Sequence, residues 1–343
     1  MMYNHKSFLI IFILLIFYNH EVVGQCCGVG GGSPVAGDAS RGVLNAQQLE
    51  LSSYIQLVDS EKFMNGTAAD TGYLKGFSSN YIYTRLAFGL SERLTMAVEA
   101  GYWQKKSQIG RHERDSYESG GWGDLILFPR YNIIQAKGSN RFNELTLGIG
   151  FKLPLGSYND SIGQVEPFSG EIFYSSKPPA VQASSGANDL LFNLFWSRQT
   201  RIARIRLSSN AMYIHKGWNP LGEKMGNYTS LGIFAGRQMG ERVHLALQLR
   251  GEWIGVMRVN PDIMMVAFPN YDPEATGSTK YFVSPQASIY VGAGFTTFVQ
   301  AEIPVFQKVN KLQLASQQQL TFGIAYRMMT KRTAGIINPA KVD

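Results

Sequence analysis

The sequence predicts an all-β chain, an antiparallel transmembrane β-barrel of about twelve strands with short periplasmic turns and long extracellular loops. Three observations carry this. Apolar and polar residues alternate over runs of roughly ten to twelve residues, the length a tilted strand needs to cross a bilayer. Every second connection between runs is short, and the others are long and polar. The chain holds 36 Gly and 17 Tyr but only 2 Cys, which excludes a disulfide scaffold.

The elements follow in chain order. Residues 1–24 read as a secretory signal: Lys6, then the apolar run Phe8 to Phe17, then Gly24 before the expected cut. That run falls short of the roughly 20 apolar residues a spanning helix needs. Residues 25–47 read as a glycine-bearing periplasmic leader, 48–328 as the barrel and 329–343 as a tail. Two-faced runs begin near Gln48, Asn80, Arg93 and Trp122. In "ELTLGIGFKLP" (144–154), Leu145, Leu147, Ile149, Phe151 and Leu153 share one face, opposite Glu144, Thr146, Gly148, Gly150 and Lys152. The same period appears near Asp189, in "ARIRLSSNAMY", near Tyr228, in "RVHLALQLRGEW", near Tyr281, near Phe295 and in "QQLTFGIAYRM". Short connections are "LSER" (90–93), "QTRIA" (199–203), "GER" (240–242) and "GAG" (292–294). Long ones are 59–78, 105–121, 156–187 and 256–280. A soluble sandwich would mix turn lengths at both ends and bury its apolar faces between two sheets.

Aromatic residues near run ends, among them Tyr81, Tyr83, Tyr102, Trp103, Trp122, Tyr131 and Trp253, are expected at the headgroup level. The polar face carries Glu99, Asp124, Arg130, Glu144, Lys152, Asp189, Arg204, Arg206, Arg250, Glu252 and Glu302, with Glu50, Arg85 and Arg327 beside them. Mixed signs on one face predict a lumen network of ion pairs, since buried charges must be paired. The same residues would form the wall of a polar conduit. Twelve strands lie between small filled barrels and wide porins, which favours a narrow, partly plugged lumen.

Catalytic residues are not predicted. The chain after the signal has only His112, His215 and His244, and none has a nucleophile and an orienting carboxylate in an evident arrangement. The glycines of "GVGGGSP" lack the lysine and helix of a phosphate loop. The net charge of +7 is dispersed, with no basic block for nucleic acid. No cofactor is expected, and the oligomeric state is not legible. Inside the polar 256–280 connection, Met264, Met265 and Phe268 belong to an apolar run that either packs over the barrel mouth or gives an apolar solute a point of access. The adjacent Cys26 and Cys27 lack zinc-site spacing. As thiolates they would suit a soft metal ion; otherwise they belong to a plain leader.

Several phrases come in a fixed order: "FGLSERLTMAVEAGY" (88–102), "GWGDLILFPRYNII" (121–134) and "LTLGIGFKLPLGSYND" (145–160), then "RGEW", "SPQASIYV" and "VQAEIPVFQKVNKLQ". Over about residues 45–328 this resembles the outer-membrane barrels of the meta-pathway phenol-degradation family, often called transporters, which are similar to the long-chain fatty-acid transporter class. The resemblance implies a bacterial outer-membrane location, lipid as surroundings and a small, apolar or aromatic solute as cargo. It leaves two alternatives open: a sealed structural or interaction barrel, and a metal-linked barrel using Cys26 and Cys27. The chain departs from the family pattern after "YRM", where about fifteen residues follow the expected aromatic end.

Overall fold

A computed structural model describes residues 42–72, 74–111, 116–138, 141–166, 168–199, 205–261 and 272–330. The expected signal, the cysteine pair, Arg204, His112, the Met264–Phe268 run and the tail from 331 onward lie outside the described residues.

Twelve antiparallel strands close into one barrel. They are β1 (Gln48–Ser60), β2 (Leu74–Gly89), β3 (Leu94–Gly110), β4 (in two parts, Tyr117–Leu127 and Arg130–Gly138), β5 (Arg141–Leu153) and β6 (Asp189–Gln199). Then come β7 (Ile205–His215), β8 (Tyr228–Met239), β9 (Val243–Ile254), β10 (Ser278–Gly292), β11 (Phe295–Val309) and β12 (Gln319–Met329). Each pairs with its neighbours in sequence, and β12 returns to β1 in the register Glu50↔Arg327 and Tyr54↔Gly323. Closure leaves no unpaired sheet edge in the hydrocarbon, which is the condition for spanning with strands.

β4 is one strand with an interruption. Proline cannot donate to the ladder, yet Pro129 sits where the two parts meet. Phe128 holds the gap by exchanging both backbone bonds with Ala97, at 2.8 and 3.2 Å, and the Pro129 carbonyl accepts from Ile149 at 3.2 Å. A bulge then sets Ile133 and Ile134 both outward, where each is nearly half exposed. Alternation elsewhere divides the two faces. Leu147, Ile149, Leu190, Phe192, Leu231, Ile233, Leu247, Leu249, Phe322 and Ile324 are exposed on the outside, while Thr146, Asn193, Asn210, Gln248 and Thr321 are buried inside. An apolar exterior around a polar interior is the inverse of a soluble barrel, and it suits lipid.

The connections divide by end. Turns 90–93, 240–242 and 293–294 are tight, and positive φ at Gly240 and Gly294 lets the chain reverse in so few residues. The opposite end carries the long loops, with a hairpin Ser161–Val165/Ile172–Ser176 and a small sheet that joins Phe63–Asn65, Ala68–Asp70 and Leu312–Leu314.

Two expectations need correction. The 105–121 connection is mostly strand: β3 runs to Gly110 and β4 resumes at Tyr117, with bulges absorbing the change in register. Tyr81, Tyr83 and Trp103 do not sit at the headgroup level. They share the parity of Arg85 and Glu99 and are buried inside the barrel, whereas Tyr102, Trp122, Tyr131 and Trp253 do face outward.

Candidate functional site in the barrel lumen

Inward residues of β11, β12, β1, β2 and β3 build an aromatic wall. Tyr54 and Tyr83 stack at 5.0 Å between ring centroids, Tyr81 and Trp103 lie at 4.3 Å, and Phe298 meets Tyr54 edge-on at 6.5 Å. Two glycines make the room. A β-carbon at Gly101 would overlap the end of the Tyr81 ring, and one at Gly323 would overlap Phe298, so each ring occupies space that only a bare backbone leaves. Tyr83 donates a short hydrogen bond to the Glu99 carboxylate.

The extracellular mouth is filled by the chain itself. The loop between β5 and β6 turns back so that Val181, Gln182, Ala183, Ser184, Gly186 and Ala187 are buried. Wall side chains capture its backbone. Trp103 Nε1 donates to the Ala183 carbonyl (3.0 Å), Lys106 Nζ to that of Gln182 (2.7 Å) and Asn219 Nδ2 to that of Ser185 (3.0 Å). Lys106 also lies 4.5 Å over the Trp103 ring. Beneath the segment runs an alternating chain of charges. Lys152 Nζ meets Asp124 at 2.5 Å and Asp189 at 3.1 Å, and Lys216 Nζ meets Asp189 at 3.0 Å. Ser184 Oγ donates to Asp124 (2.5 Å) and Lys152 to Ser185 Oγ (2.8 Å), which ties the segment to those ions.

Further charges form separate groups. Arg250 reaches Glu302 (2.5 Å) and Glu252 (2.7 Å), donates to the Tyr228 hydroxyl (3.0 Å) and lies 4.4 Å over Phe282. Glu50 accepts from Arg85 and, at 2.5 Å, from Arg327 across the closing seam. Glu144 accepts from Asn132 (3.2 Å), Thr146 (2.9 Å) and the Val43 amide (3.0 Å). The last contact belongs to a strap at the short-turn end. Leu44 enters the lumen, its amide bonded to Thr95 Oγ1 at 2.8 Å, and joins an apolar cluster with Ala87, Ala97, Phe128, Leu191, Met212, Ile214 and Phe234. Arg130 is buried on the inner face, and Arg206 faces inward, exposed, near the short-turn end of β7.

Among the sequence-derived residues, Asp124, Lys152 and Asp189 share ion pairs, as do Arg250, Glu252 and Glu302, and Glu50, Arg85 and Arg327, while Glu144 and Glu99 accept from neutral side chains. Reasoning from sequence missed Lys106, Lys216, the aromatic wall and the inward-folded 181–187 segment. Parity alone could have found the wall, because Tyr54 shares the face of Glu50 and Gln56. Nothing in "VQASSGA" marks it as interior. Among the described residues no group of His, Cys, Asp and Glu could hold a metal ion. His215 points outward, and His244 lies beside Gly236 on the inner wall.

No family model and no curated protein matches the sequence. Solved structures do match the fold. The crystal structure of an outer-membrane channel from Pseudomonas putida F1 superposes with a TM-score of 0.64 at 12% identity, covering 85% of this chain and 99% of that one. A Pseudomonas aeruginosa FadL homologue gives 0.39 at 10% identity over 83% of this chain and 90% of that one. The translocator domain of the autotransporter NalP from Neisseria meningitidis gives 0.45 at 13%, over 83% and 90%. Only the first score is high enough to compare topologies. Its near-complete overlap, with the closed sheet and the inverted surface, shows that this chain has the fold of an outer-membrane β-barrel.

Proposed function

We propose that the chain is an outer-membrane channel for small solutes, held closed by its own 181–187 segment. The observation that carries this reading is the way that segment is held. Polar side-chain bonds to Lys106, Trp103, Asp124 and Lys152 fix it in the mouth of the barrel, and Ala183 packs among Tyr54, Tyr81, Tyr83 and Trp103. Bonds of that kind cost little to exchange for water, so the segment can leave without unfolding the wall. The Pseudomonas putida protein of like fold is described as an outer-membrane channel, which agrees with this reading. The aromatic wall suits a solute with a flat apolar face, in keeping with the sequence likeness to phenol-degradation barrels. We read the lumen as serving passage, not catalysis. Sealing at both ends, by residues 181–187 and by Leu44, also favours a second reading as a permanently closed barrel.

Planar-bilayer recording of the refolded protein separates the two. The channel reading expects small, intermittent conductance in the parent chain. It expects larger, steadier conductance when residues 181–187 are replaced by a short glycine link. Silence from both, with correct folding shown by heat-modifiable mobility, would leave only the sealed barrel.

A further inference from the structure

The lumen holds most of its charged groups in ion pairs, while several neutral groups keep unused hydrogen-bonding capacity. Four such atoms are buried without a partner among the described residues, spread over the half of the barrel from β4 to β10: Asn132 Oδ1, Asn193 Oδ1, Gln248 Nε2 and Ser284 Oγ. Their residues are 0%, 2%, 3% and 0% exposed and belong to β4, β6, β9 and β10. Asn210, Gln286, Gln300 and Thr321 continue this uncharged polar lining toward the aromatic side. A buried polar atom left unpaired is costly. Four of them around one lumen are a poor way to stabilise a barrel and a usable way to receive a ligand.

The facing wall supplies the complement. Tyr54, Tyr81, Tyr83 and Phe298 present a run of neighbouring rings, with Tyr81 set against Gly101 and Phe298 against Gly323. Among them Glu99 Oε1 is a buried acceptor with no partner in the protein. An amide and hydroxyl lining opposite flat aromatic rings fits a particular kind of molecule. It has many hydroxyl groups to donate and accept, one apolar face of C–H bonds to lay on the rings, and no net charge to compete with the ion pairs.

We infer that the opened lumen selects a neutral polyhydroxylated solute of about monosaccharide size. This rests on the channel reading above. The amides of Asn193 and Gln248 and the hydroxyl of Ser284 bond the solute hydroxyls, Glu99 takes one donor, and the tyrosine wall carries the apolar face.

The test is isosmotic swelling of liposomes that contain the full-length protein. D-glucose is compared with triethylene glycol, which is of similar size and poor in donors, while potassium chloride conductance is recorded in parallel. Glucose should enter several-fold faster than the glycol. Gln248→Leu and the one-atom change Ser284→Ala should each lower the glucose-to-glycol ratio roughly fivefold, the worth of one hydrogen bond. Folding of each variant is checked by heat-modifiable mobility. Equal entry of glucose and glycol would mean that the unpaired atoms hold only water, and the inference would fail while the channel stood. An unchanged ratio in well-folded variants would overturn it as well. No swelling by any solute together with no ion current would instead sink the channel reading itself.

Discussion

Glu50 offers the sharpest test of how the barrel is held shut. It lies on β1, is 1% exposed, and accepts from Arg85 on one side and Arg327 on the other, across the β12–β1 seam. Glu50→Gln keeps the shape but removes the charge between two guanidinium groups. Arg85 is as deeply buried as its partner, with its side chain 4% exposed, so that half of the interaction is a broken buried pair and should cost about 3–5 kcal/mol. The Arg327 side chain is 40% exposed, so solvent already screens its half, which adds about 0–1 kcal/mol. Glu50→Gln should therefore cost about 3–5 kcal/mol, and Arg327→Gln about 0–1 kcal/mol. Urea unfolding of the liposome-inserted protein, followed by tryptophan emission, measures both if the transition is two-state with a common slope. Equal losses, or a loss under about 1 kcal/mol for Glu50→Gln, would refute the claim that the buried half of the clamp carries the energy.

Other expectations follow from the same structure. Leu247→Arg places a charge near the middle of β9 on the lipid face and should cost about 2–4 kcal/mol by the same unfolding assay; a neutral result would show that the two faces are reversed. Lys152→Met removes the cation shared by Asp124, Asp189 and Ser185, and single-channel recording should then show a raised open probability. A protease site set between Glu166 and Glu171 should be cleaved on intact cells, and one in the 240–242 turn should not. On the extracellular side, Lys311 bonds Asp272 (2.9 Å) and Glu274 (2.6 Å). The hydrogen bond from Lys311 holds the Asp272 carboxyl below its ordinary value of 3.8, and the bond to Glu274 raises Lys311 above 10.5. A depressed acid stabilises the contact above its ordinary range and loses it as pH falls. A raised lysine stabilises it below its ordinary range and loses it as pH rises. Hydrogen exchange at the Glu274 amide, which donates to Asp272, should thus show flat protection between about pH 5 and 9, with losses outside that window.

Much of the barrel was legible because its rule is local. A strand between lipid and lumen must alternate, so Leu145 to Leu153 declare their faces without reference to any other strand. Connection lengths then give the up-and-down order, since antiparallel neighbours need only a tight turn. Where the alternation fails, the sequence misleads. At 103–106 and 121–123 the bulges shift parity, so Lys106 turns inward and the strand continues through what reads as a polar loop. Pro129 interrupts the ladder without ending the strand, because Ala97 exchanges backbone bonds with Phe128 beside it.

What fills the lumen obeys no local rule. Tyr81 and Tyr83 look the same in sequence whether they belong to a headgroup belt or an inner wall, and only the parity of Arg85 decides. Their inward placement requires partners that are distant in the chain. Gly101 must be bare beside Tyr81, and Gly323, 222 residues beyond Gly101, must be bare beside Phe298 before Tyr54 can meet it. The 181–187 segment is harder still. Its sequence is small and polar, as any loop's would be, and it becomes interior because Lys106, Trp103 and Asn219 offer donors to the carbonyls of Gln182, Ala183 and Ser185. Backbone carbonyls exist in every loop, so the information that places this one lies in the wall and not in the segment. The wall donors are therefore the residues to perturb. Trp103→Phe keeps the ring and removes the bond to Ala183, and it should loosen the segment enough to raise channel open probability. Substitutions within 181–187 that preserve size, such as Ser184→Ala, should matter only through the hydroxyl's bonds to Asp124 and to the Gly186 amide. If Ser184→Ala opened the channel further than Trp103→Phe in bilayer recordings, the hold would reside in the side chains of the segment, and the account of backbone capture would be wrong.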